Sequence, residues 1–134
     1  MLSNKIEKKK LRKQIKLVNG NLVYLATGRQ VLEVKDPDLV YSIGLIDYFN
    51  DQFVVALMNY VYNLLKLGGK IILGNFHSSN STKSGMDHVL DWKLIHRTEE
   101  DMHRLFSESS FKRPCSNLQF EEAGINLFAE CIKA

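Results

Sequence analysis

The sequence predicts an α/β domain whose sheet is mostly parallel and ends in an antiparallel hairpin. Three observations indicate this fold class. Strand-like and helix-like segments alternate along the chain, the unbroken apolar run Ile71–Leu73 follows a helix, and two β-rich segments close the chain around a turn that contains Gly124. Parallel strands covered on both faces give unbroken apolar runs, whereas a short glycine-containing connection is typical of a hairpin.

The first segments are a helix and a short strand. Asn4 and Glu7 have the spacing of a capping box, which predicts a helix that runs to about Lys13. Ile15–Val18 is a short β-rich run, and the turn residues 19–21 end it. Together these segments predict that the alternating pattern begins close to the start of the chain.

The positive charge is concentrated in this first segment. Residues 1–16 contain seven Lys or Arg and one Glu, although the whole chain carries a net charge of only +3. We therefore divide the chain into a basic helical arm, residues 1–14, and a domain, residues 15–134. The arm lacks the interleaved aromatic residues that favour nucleic-acid binding, so we expect a solvated helix and no nucleic-acid partner. With no apolar signal segment and no membrane-length apolar run, we expect a cytoplasmic protein without a transmembrane segment.

The middle of the chain predicts a strand–helix–strand unit. The first strand covers Asp38–Ser42. A helix capped by Asn50 or Asp51 follows, runs to Leu67 and is ended by Gly68-Gly69. The second strand covers Lys70–Asn75. Apolar residues recur at spacings of three and four from Phe53 to Leu65, which predicts a helix with one buried stripe. Two parallel strands joined by a helix form a right-handed crossover.

The last part of the chain predicts one more helix and the hairpin. A loop over Ser78–Ser84 is followed by a short helix over Met86–Trp92. The next helix begins at the capping pair Thr98 and Asp101 and runs to about Glu108. The two strands of the hairpin are Cys115–Glu121 and Ile125–Lys133. Cys115 and Cys131 are too few for a zinc cluster, and we expect free thiols. No metal-binding constellation is present in the sequence.

Several polar residues follow the two predicted parallel strands. They are Ser42, Asp47, Tyr48, Asn75 and His77, and open α/β sheets place their ligands at this end of the strands. Three of these residues also have a structural interpretation. Asp47 has the spacing of a cap for the helix that follows, which we favour on spacing alone, Tyr48 fits a core position, and His77 fits a loop.

Three segments resemble class I methyltransferases, a Rossmann-like family. Lys16–Leu22, which contains Asn19-Gly20-Asn21, is similar to the end of the family's third strand, where a Gly-Asp or Gly-Asn pair meets the adenine. Asp38–Ser42 resembles the fourth strand. Leu65–Ile71 resembles the Leu-Lys-Pro-Gly-Gly turn into the fifth strand, with Leu67 in place of the proline.

A narrower resemblance covers residues 38–106. Ser42–Phe49, Gly74–Phe76, Gly85–Asp87 and Asp91–Arg97 are similar to a bacterial group labelled as making 3-hydroxypalmitic acid methyl ester. This resemblance implies S-adenosyl-L-methionine as the cofactor and a carboxylate or fatty-acyl substrate.

The resemblance, the strand-end rule and the chemistry of the side chains together give the candidate site residues. Cofactor-binding positions are Asn21, Leu22, Ser42, Ile43 and Gly44, and substrate-binding positions are Asp47, Tyr48, Asn75, His77, Trp92 and Arg97. Asn21 is equally well interpreted as an ordinary turn residue. Trp92 with Arg97 fits a clamp for a carboxylate, or Trp92 fits a structural lid over the sheet.

The sequence departs from the family at its first strand. None of its glycines forms a Gly-x-Gly motif, and no acid that would bind the ribose follows a second strand. We therefore expect the C-terminal half of the fold, a truncated sheet. Two interpretations follow: an enzyme that a homodimer or a second chain with the N-terminal half completes, or a non-catalytic module that self-associates through an exposed sheet edge.

Overall fold

The computed structural model describes residues 18–77, 94–122 and 124–134. In chain order they contain helix α1 (Leu22–Ala26), strand β1 (Leu39–Ser42), a 3-10 turn (Ile46–Tyr48), helix α2 (Asp51–Leu64), strand β2 (Lys70–Phe76), helix α3 (Glu99–Glu108), and strands β3 (Asn117–Phe120) and β4 (Asn126–Ile132). The predictions for the basic arm, for Ile15–Leu17 of the first strand, and for the loop and short helix within residues 78–93 lie outside the described residues.

The four strands form one mixed sheet in the order β1-β2-β4-β3. β1 and β2 are parallel, whereas β4 is antiparallel to both β2 and β3. The prediction of a mostly parallel sheet is therefore wrong, since one of the three pairings is parallel. The reason is that β4 inserts between β2 and β3, so that the hairpin supplies two of the three pairings.

Helix boundaries differ from the predicted ones at two places. Residues 22–37, which the sequence pattern left open, contain the short helix α1, and Val18 before it is not in a strand. Helix α2 ends at Leu64 rather than at Leu67, because Leu65 is extended and buries its side chain in the core. No helix in the described part of the chain is long and apolar enough to cross a membrane.

Helix α3 begins at the predicted capping box. The Thr98 hydroxyl accepts a hydrogen bond from the Asp101 N–H at 3.1 Å, and the Asp101 carboxylate accepts one from the Thr98 N–H at 2.8 Å. The pair satisfies two donors that a helix N-terminus otherwise leaves unbonded, so the spacing of the two residues fixes where α3 begins. This prediction is confirmed.

The core lies on one face of the sheet. Burial alternates along β4 and along the first four residues of β2, and the buried set on this face includes Ile71, Leu73, Leu127, Ala129 and Cys131. Helices α2 and α3 pack their buried residues, among them Val54, Met58, Met102 and Phe106, against it. The opposite face, which carries Leu39 and Tyr41 of β1, is exposed. A strand with one covered face alternates in this way.

Both cysteines are buried on the covered side of the hairpin. Cys131 lies on β4. Cys115 is next to Ser116, whose N–H donates a hydrogen bond to the carbonyl of Glu130 on β4. Burial raises the pKa of the Cys115 thiol to about 12. A thiol with such a pKa is a poor nucleophile, so Cys115 has the properties of a core residue.

The turn between α2 and β2 leaves no room for a side chain at Gly69. A Cβ atom there would lie 2.9 Å from the Lys66 carbonyl oxygen, 3.1 Å from that of Pro37 and 3.2 Å from that of Asp38. We expect Gly69→Ala to lower the free energy of unfolding by about 1–3 kcal/mol, because backbone atoms must move. Gly20→Ala is the control in urea denaturation, since a Cβ at Gly20 meets only side-chain atoms, the nearest at 3.4 Å. An equal loss in both variants would contradict the prediction.

Candidate functional site

The carboxyl ends of β1 and β2 lie side by side, because the two strands are parallel and pair Ser42 with Leu73. β1 leads into the 3-10 turn that contains Asp47, and β2 ends in Asn75 and Phe76. Segment 94–97 lies beside the same end, where the Arg97 N–H donates to the Phe76 carbonyl at 2.9 Å. Three separate parts of the chain therefore meet at one edge of the sheet.

Asp47 is completely buried at this edge. Its Oδ1 accepts a hydrogen bond from the Phe76 N–H at 2.6 Å, and its carbonyl accepts one from the Ile95 N–H at 2.7 Å. Its Oδ2 is buried and has no hydrogen-bond partner among the described residues. Burial raises the pKa of Asp47, against the opposing effects of the Phe76 hydrogen bond and the charge of Arg97.

The cap that the spacing favoured for Asp47 is wrong. Asn50 caps helix α2, and its Oδ1 accepts the Phe53 N–H at 2.9 Å. The intervening 3-10 turn directs the Asp47 side chain toward the end of β2 instead. Tyr48 follows in the same turn and is 57% exposed, so its interpretation as a core residue is also wrong.

Arg97 lies at the centre of a buried hydrogen-bond network. Its Nε and Nη2 donate to Asp51 Oδ1 at 3.1 and 2.9 Å, and Nη2 also donates to the Phe49 carbonyl at 2.8 Å. Nη1 donates to the Ile46 carbonyl at 3.0 Å and to Asn75 Oδ1 at 2.7 Å. These contacts use all five guanidinium N–H groups. The geometry favours a structural role for Arg97 over the substrate clamp.

Asn75 and Asp51 complete this network. Asn75 is fully buried, and its Nδ2 donates to the carbonyls of Phe76 and Ile95 at 2.9 and 3.0 Å. Asp51 also accepts a hydrogen bond from Arg104 at 2.8 Å. Burial opposes the ionisation of Asp51, but the hydrogen bonds from Arg104 and Arg97 outweigh it and lower its pKa. The network therefore ties the start of α2 to the end of β2 and to the middle of α3.

Two histidines flank the end of β2. His77 Nε2 contacts the Glu99 carboxylate, and the His77 ring packs edge-on against Phe120 with centroids 4.8 Å apart. His77 lines an open pocket with Thr98, Glu99 and Glu100. His96 is half-buried, and its Nδ1 lies 3.2 Å from the Leu94 carbonyl oxygen.

An apolar cavity of about 230 Å³ lies between α1, β1, α2 and the core face of β2. Its lining residues include Leu22 from α1, Ser42 from β1 and Met58 from α2. Two positions that the resemblance assigned to the cofactor, Leu22 and Ser42, therefore border the same space. Such a concave, mostly apolar space with a few polar atoms is typical of a ligand site.

The other three predicted cofactor positions do not line this cavity. Asn21 caps α1, where its Oδ1 accepts the Tyr24 N–H at 3.2 Å. Ile43 is 56% exposed and lines a shallow depression on the opposite face of the sheet. Gly44 has a φ of +73°, and nothing lies within 4 Å of the Cβ position. The structure thus brings together two of the five residues and separates Ile43 from them.

Several solved structures similar to this chain are methyltransferases. Magnesium protoporphyrin IX methyltransferase from Synechocystis PCC 6803, with bound S-adenosylhomocysteine, matches with a TM-score of 0.56 and 12% identity over 82% of this chain and 48% of that one. The S-adenosylmethionine-dependent methyltransferase SibL, in its apo form, matches with a TM-score of 0.71 and 9% identity over 98% and 39%. Human N-acetylserotonin methyltransferase, in complex with S-adenosylmethionine, matches with a TM-score of 0.65 and 17% identity over 91% and 34%. The chain has the class I methyltransferase fold.

This chain spans less than half the length of each of these three methyltransferases. No protein-family model and no curated protein matches the sequence. At identities below 20%, the likeness establishes the fold but not the roles of individual residues.

Three further residues beside the candidate site were not predicted from the sequence. His96, Glu99 and Asp51 meet the predicted residues only in three dimensions; Asp51, for example, bonds to Arg97, which lies 46 positions away. The predicted Trp92 lies outside the described residues. Within the described ranges, no group of three or more potential ligands could hold a metal ion.

Proposed function

We propose that this chain contributes to an S-adenosylmethionine-dependent methyltransferase. The observation that carries the proposal is the meeting of Leu22 and Ser42 at one cavity beside the carboxyl end of β1. In open α/β sheets, ligands bind at this end of the strands. The likeness to methyltransferases solved with S-adenosylhomocysteine or S-adenosylmethionine supports the same assignment.

The adenine end of the cofactor fits the residues present. Leu22 and the apolar wall of the cavity offer a surface for a flat ring, and Ser42 offers a hydroxyl at its rim. Asn21 uses its Oδ1 for the cap, which leaves the Nδ2 donor for an adenine nitrogen. When bound, the cofactor would supply a methyl group on a positively charged sulfur.

The methionine end needs contacts that this sequence does not show. The chain contains no Gly-x-Gly motif, whose backbone N–H groups approach that end in the family. We therefore propose that a second chain, or a second copy of this one, supplies them. The acceptor implied by the resemblance is a carboxylate or fatty-acyl compound, and Asp47, Tyr48 and His77 lie at the strand ends where it would bind.

Calorimetric titration with S-adenosylmethionine and S-adenosylhomocysteine tests the proposal. We expect weak binding to the chain alone, with a dissociation constant of about 0.1–1 mM, because only the adenine side is contacted. Asn21→Ala should weaken that binding by about 1–3 kcal/mol. Val23→Ala is the matched control, since Val23 is half-exposed on the same short helix and does not line the cavity.

Three results would contradict parts of this proposal. Submicromolar affinity, a free energy beyond about −8 kcal/mol, would refute the expected weak binding, and the missing contacts would then have to come from a second copy of this chain. Amide resonances of Leu22 and Ser42 that stay unchanged at saturating S-adenosylhomocysteine would refute the adenine site. Unchanged affinity in Asn21→Ala would limit Asn21 to capping α1.

A non-catalytic interaction module is the second candidate function. A specific observation favours it: Leu39, Tyr41 and Ile43, along and just after β1, are 46%, 67% and 56% exposed. Apolar residues at an open strand edge are a ready site for pairing with another chain. If the chain is such an interaction module, the apolar cavity beside α1 is a gap in the packing and binds no ligand.

A further inference from the structure

The cavity between α1, β1, α2 and β2 is lined almost entirely by apolar side chains. Apart from Tyr41, Ser42 and Tyr60, every residue that lines it has a wholly apolar side chain. Tyr41 is 67% exposed on the opposite face of the sheet, and the Tyr60 hydroxyl accepts a hydrogen bond from the Leu32 N–H at 2.9 Å. Ser42 therefore supplies the remaining polar side chain of the lining.

The size and the polarity of the cavity define what it can hold. Its volume is about 230 Å³, and an apolar cavity of about 150 Å³ is large enough for benzene. A buried water molecule needs several polar partners, which this lining does not offer. An ionised group would lose its hydration without gaining a counter-charge. A neutral aromatic ring or a short alkyl chain therefore fits the cavity best.

Filling the cavity is favourable because its inner wall is part of the core. Val54, Met58, Ile71 and Leu73 line it and are at most 5% exposed. Atoms that face an empty space have no partners for van der Waals contact on that side, so an empty cavity destabilises a fold. A ligand that occupies this space restores those contacts and is bound by the same forces that pack the core.

The outer wall of the cavity can open without disturbing the sheet. This wall consists of α1 and the segment that follows it, which contribute Leu22, Leu25 and Leu32 to the lining. The other hydrogen bonds of the wall stay within residues 19–30. Among the described residues, the bond from the Leu32 N–H to the Tyr60 hydroxyl is the hydrogen bond that joins this wall to α2. A segment with so few ties opens more easily than the core, which gives a ligand a way in.

We propose that this cavity binds a small neutral apolar compound and that the bound compound regulates the cofactor site. The compound is an uncharged aromatic ring or a short alkyl chain. Leu22 and Ser42 border the space that the adenine uses in the proposed function, so the apolar compound and the cofactor exclude each other. A compound of this class therefore inhibits by lowering the affinity for the cofactor. The competition rests on the proposed function, whereas the binding of the apolar compound does not.

Fluorobenzene and 4-fluorobenzoate are the probes, since they share a fluorinated ring and differ by one negative charge. We expect fluorobenzene to shift the methyl resonances of Met58 and Ile71 of the whole chain in a saturable way. We expect 4-fluorobenzoate to leave them unchanged, because its carboxylate would be buried without a partner. No saturable shift with fluorobenzene, or an equal shift with both probes, would overturn the inference. A fluorobenzene effect confined to Ile43 and Ile132, which are exposed and do not line the cavity, would also overturn it.

A cavity-filling substitution locates the site. Val61→Phe adds ring atoms to the lining and should weaken fluorobenzene binding about tenfold or more, because the added atoms occupy the space of the ligand. Val23→Phe is the matched control, since Val23 is half-exposed on α1 and does not line the cavity. If both variants bind fluorobenzene equally, measured from its ¹⁹F line width, the cavity is not the site. The comparison of the two probes uses the wild-type chain, so a Val61→Phe chain that fails to fold leaves it intact.

Titration with S-adenosylhomocysteine separates this inference from the proposed function. Fluorobenzene at about ten times its own dissociation constant should raise that of S-adenosylhomocysteine about tenfold, as competition for one site requires. Equal affinities with and without fluorobenzene would overturn the competition. If S-adenosylhomocysteine binds and fluorobenzene does not, the inference fails and the proposed function stands. If fluorobenzene binds and S-adenosylhomocysteine does not bind at any concentration, the apolar site stands and the proposed function fails.

Discussion

Replacing Arg97 with leucine should lower the free energy of unfolding by roughly 3–5 kcal/mol, the usual cost of breaking a buried ion pair from one side. The substitution removes the donors that satisfy Asp51, Asn75 and the carbonyls of Ile46 and Phe49. Since the side chain of Arg97 is 1% exposed, water cannot replace the lost contacts without entering the core. Urea denaturation followed by circular dichroism measures the loss.

Arg104→Leu is the matched control for this experiment. Arg104 binds the same carboxylate, at 2.8 Å from Asp51 Oδ2, but its side chain is 43% exposed. Exposed ion pairs contribute about 0–1 kcal/mol, so Arg104→Leu should cost no more than that. Equal losses of stability in the two variants would contradict the prediction that the buried hydrogen bonds of Arg97 contribute more than the exposed ion pair of Arg104. Arg97→Lys should also destabilise, because lysine has three donors for five acceptor contacts.

The elements that local signals specify could be predicted from the sequence. The Thr98–Asp101 capping box, the apolar stripe of α2 and the apolar strand β2 each depend on residues within a few positions of one another. The end of α2 could not be predicted, because Lys66 and Gly68 bond to Pro37 and Lys133 instead of continuing the helix. Those partners are distant in sequence, so no local pattern contains them.

The candidate site was predictable only in its location. The strand-end rule indicated Ser42, Asp47 and Asn75, and the structure places all three at the carboxyl ends of β1 and β2. The role of each residue depends on the side chains and backbone groups that it contacts in the folded chain. His96 precedes Arg97 in a segment with no periodic pattern, and only the fold brings its ring against Phe76 at the end of β2, with centroids 5.7 Å apart.

Wild-type chain should self-associate, and Tyr41→Lys should abolish the association. β1 pairs with β2 along one edge and has no strand partner along the other among the described residues. Leu39, Val40 and Tyr41 include no lysine or proline, the residues that usually protect an open edge. Pairing of this edge with its copy around a two-fold axis would satisfy the free N–H and C=O groups. It would also cover Leu39 and Tyr41, which are 46% and 67% exposed.

Light scattering after size-exclusion chromatography measures the association at micromolar concentrations. We expect a dimer for the wild type and a monomer for Tyr41→Lys, because two lysines would face each other across the new pairing and repel. Tyr24→Lys is the matched control: Tyr24 is 46% exposed on α1, and its replacement should leave the dimer intact. A wild-type monomer would contradict the prediction and favour an edge that another segment of the same chain covers. Loss of the dimer in both variants would place the interface at α1 instead of β1.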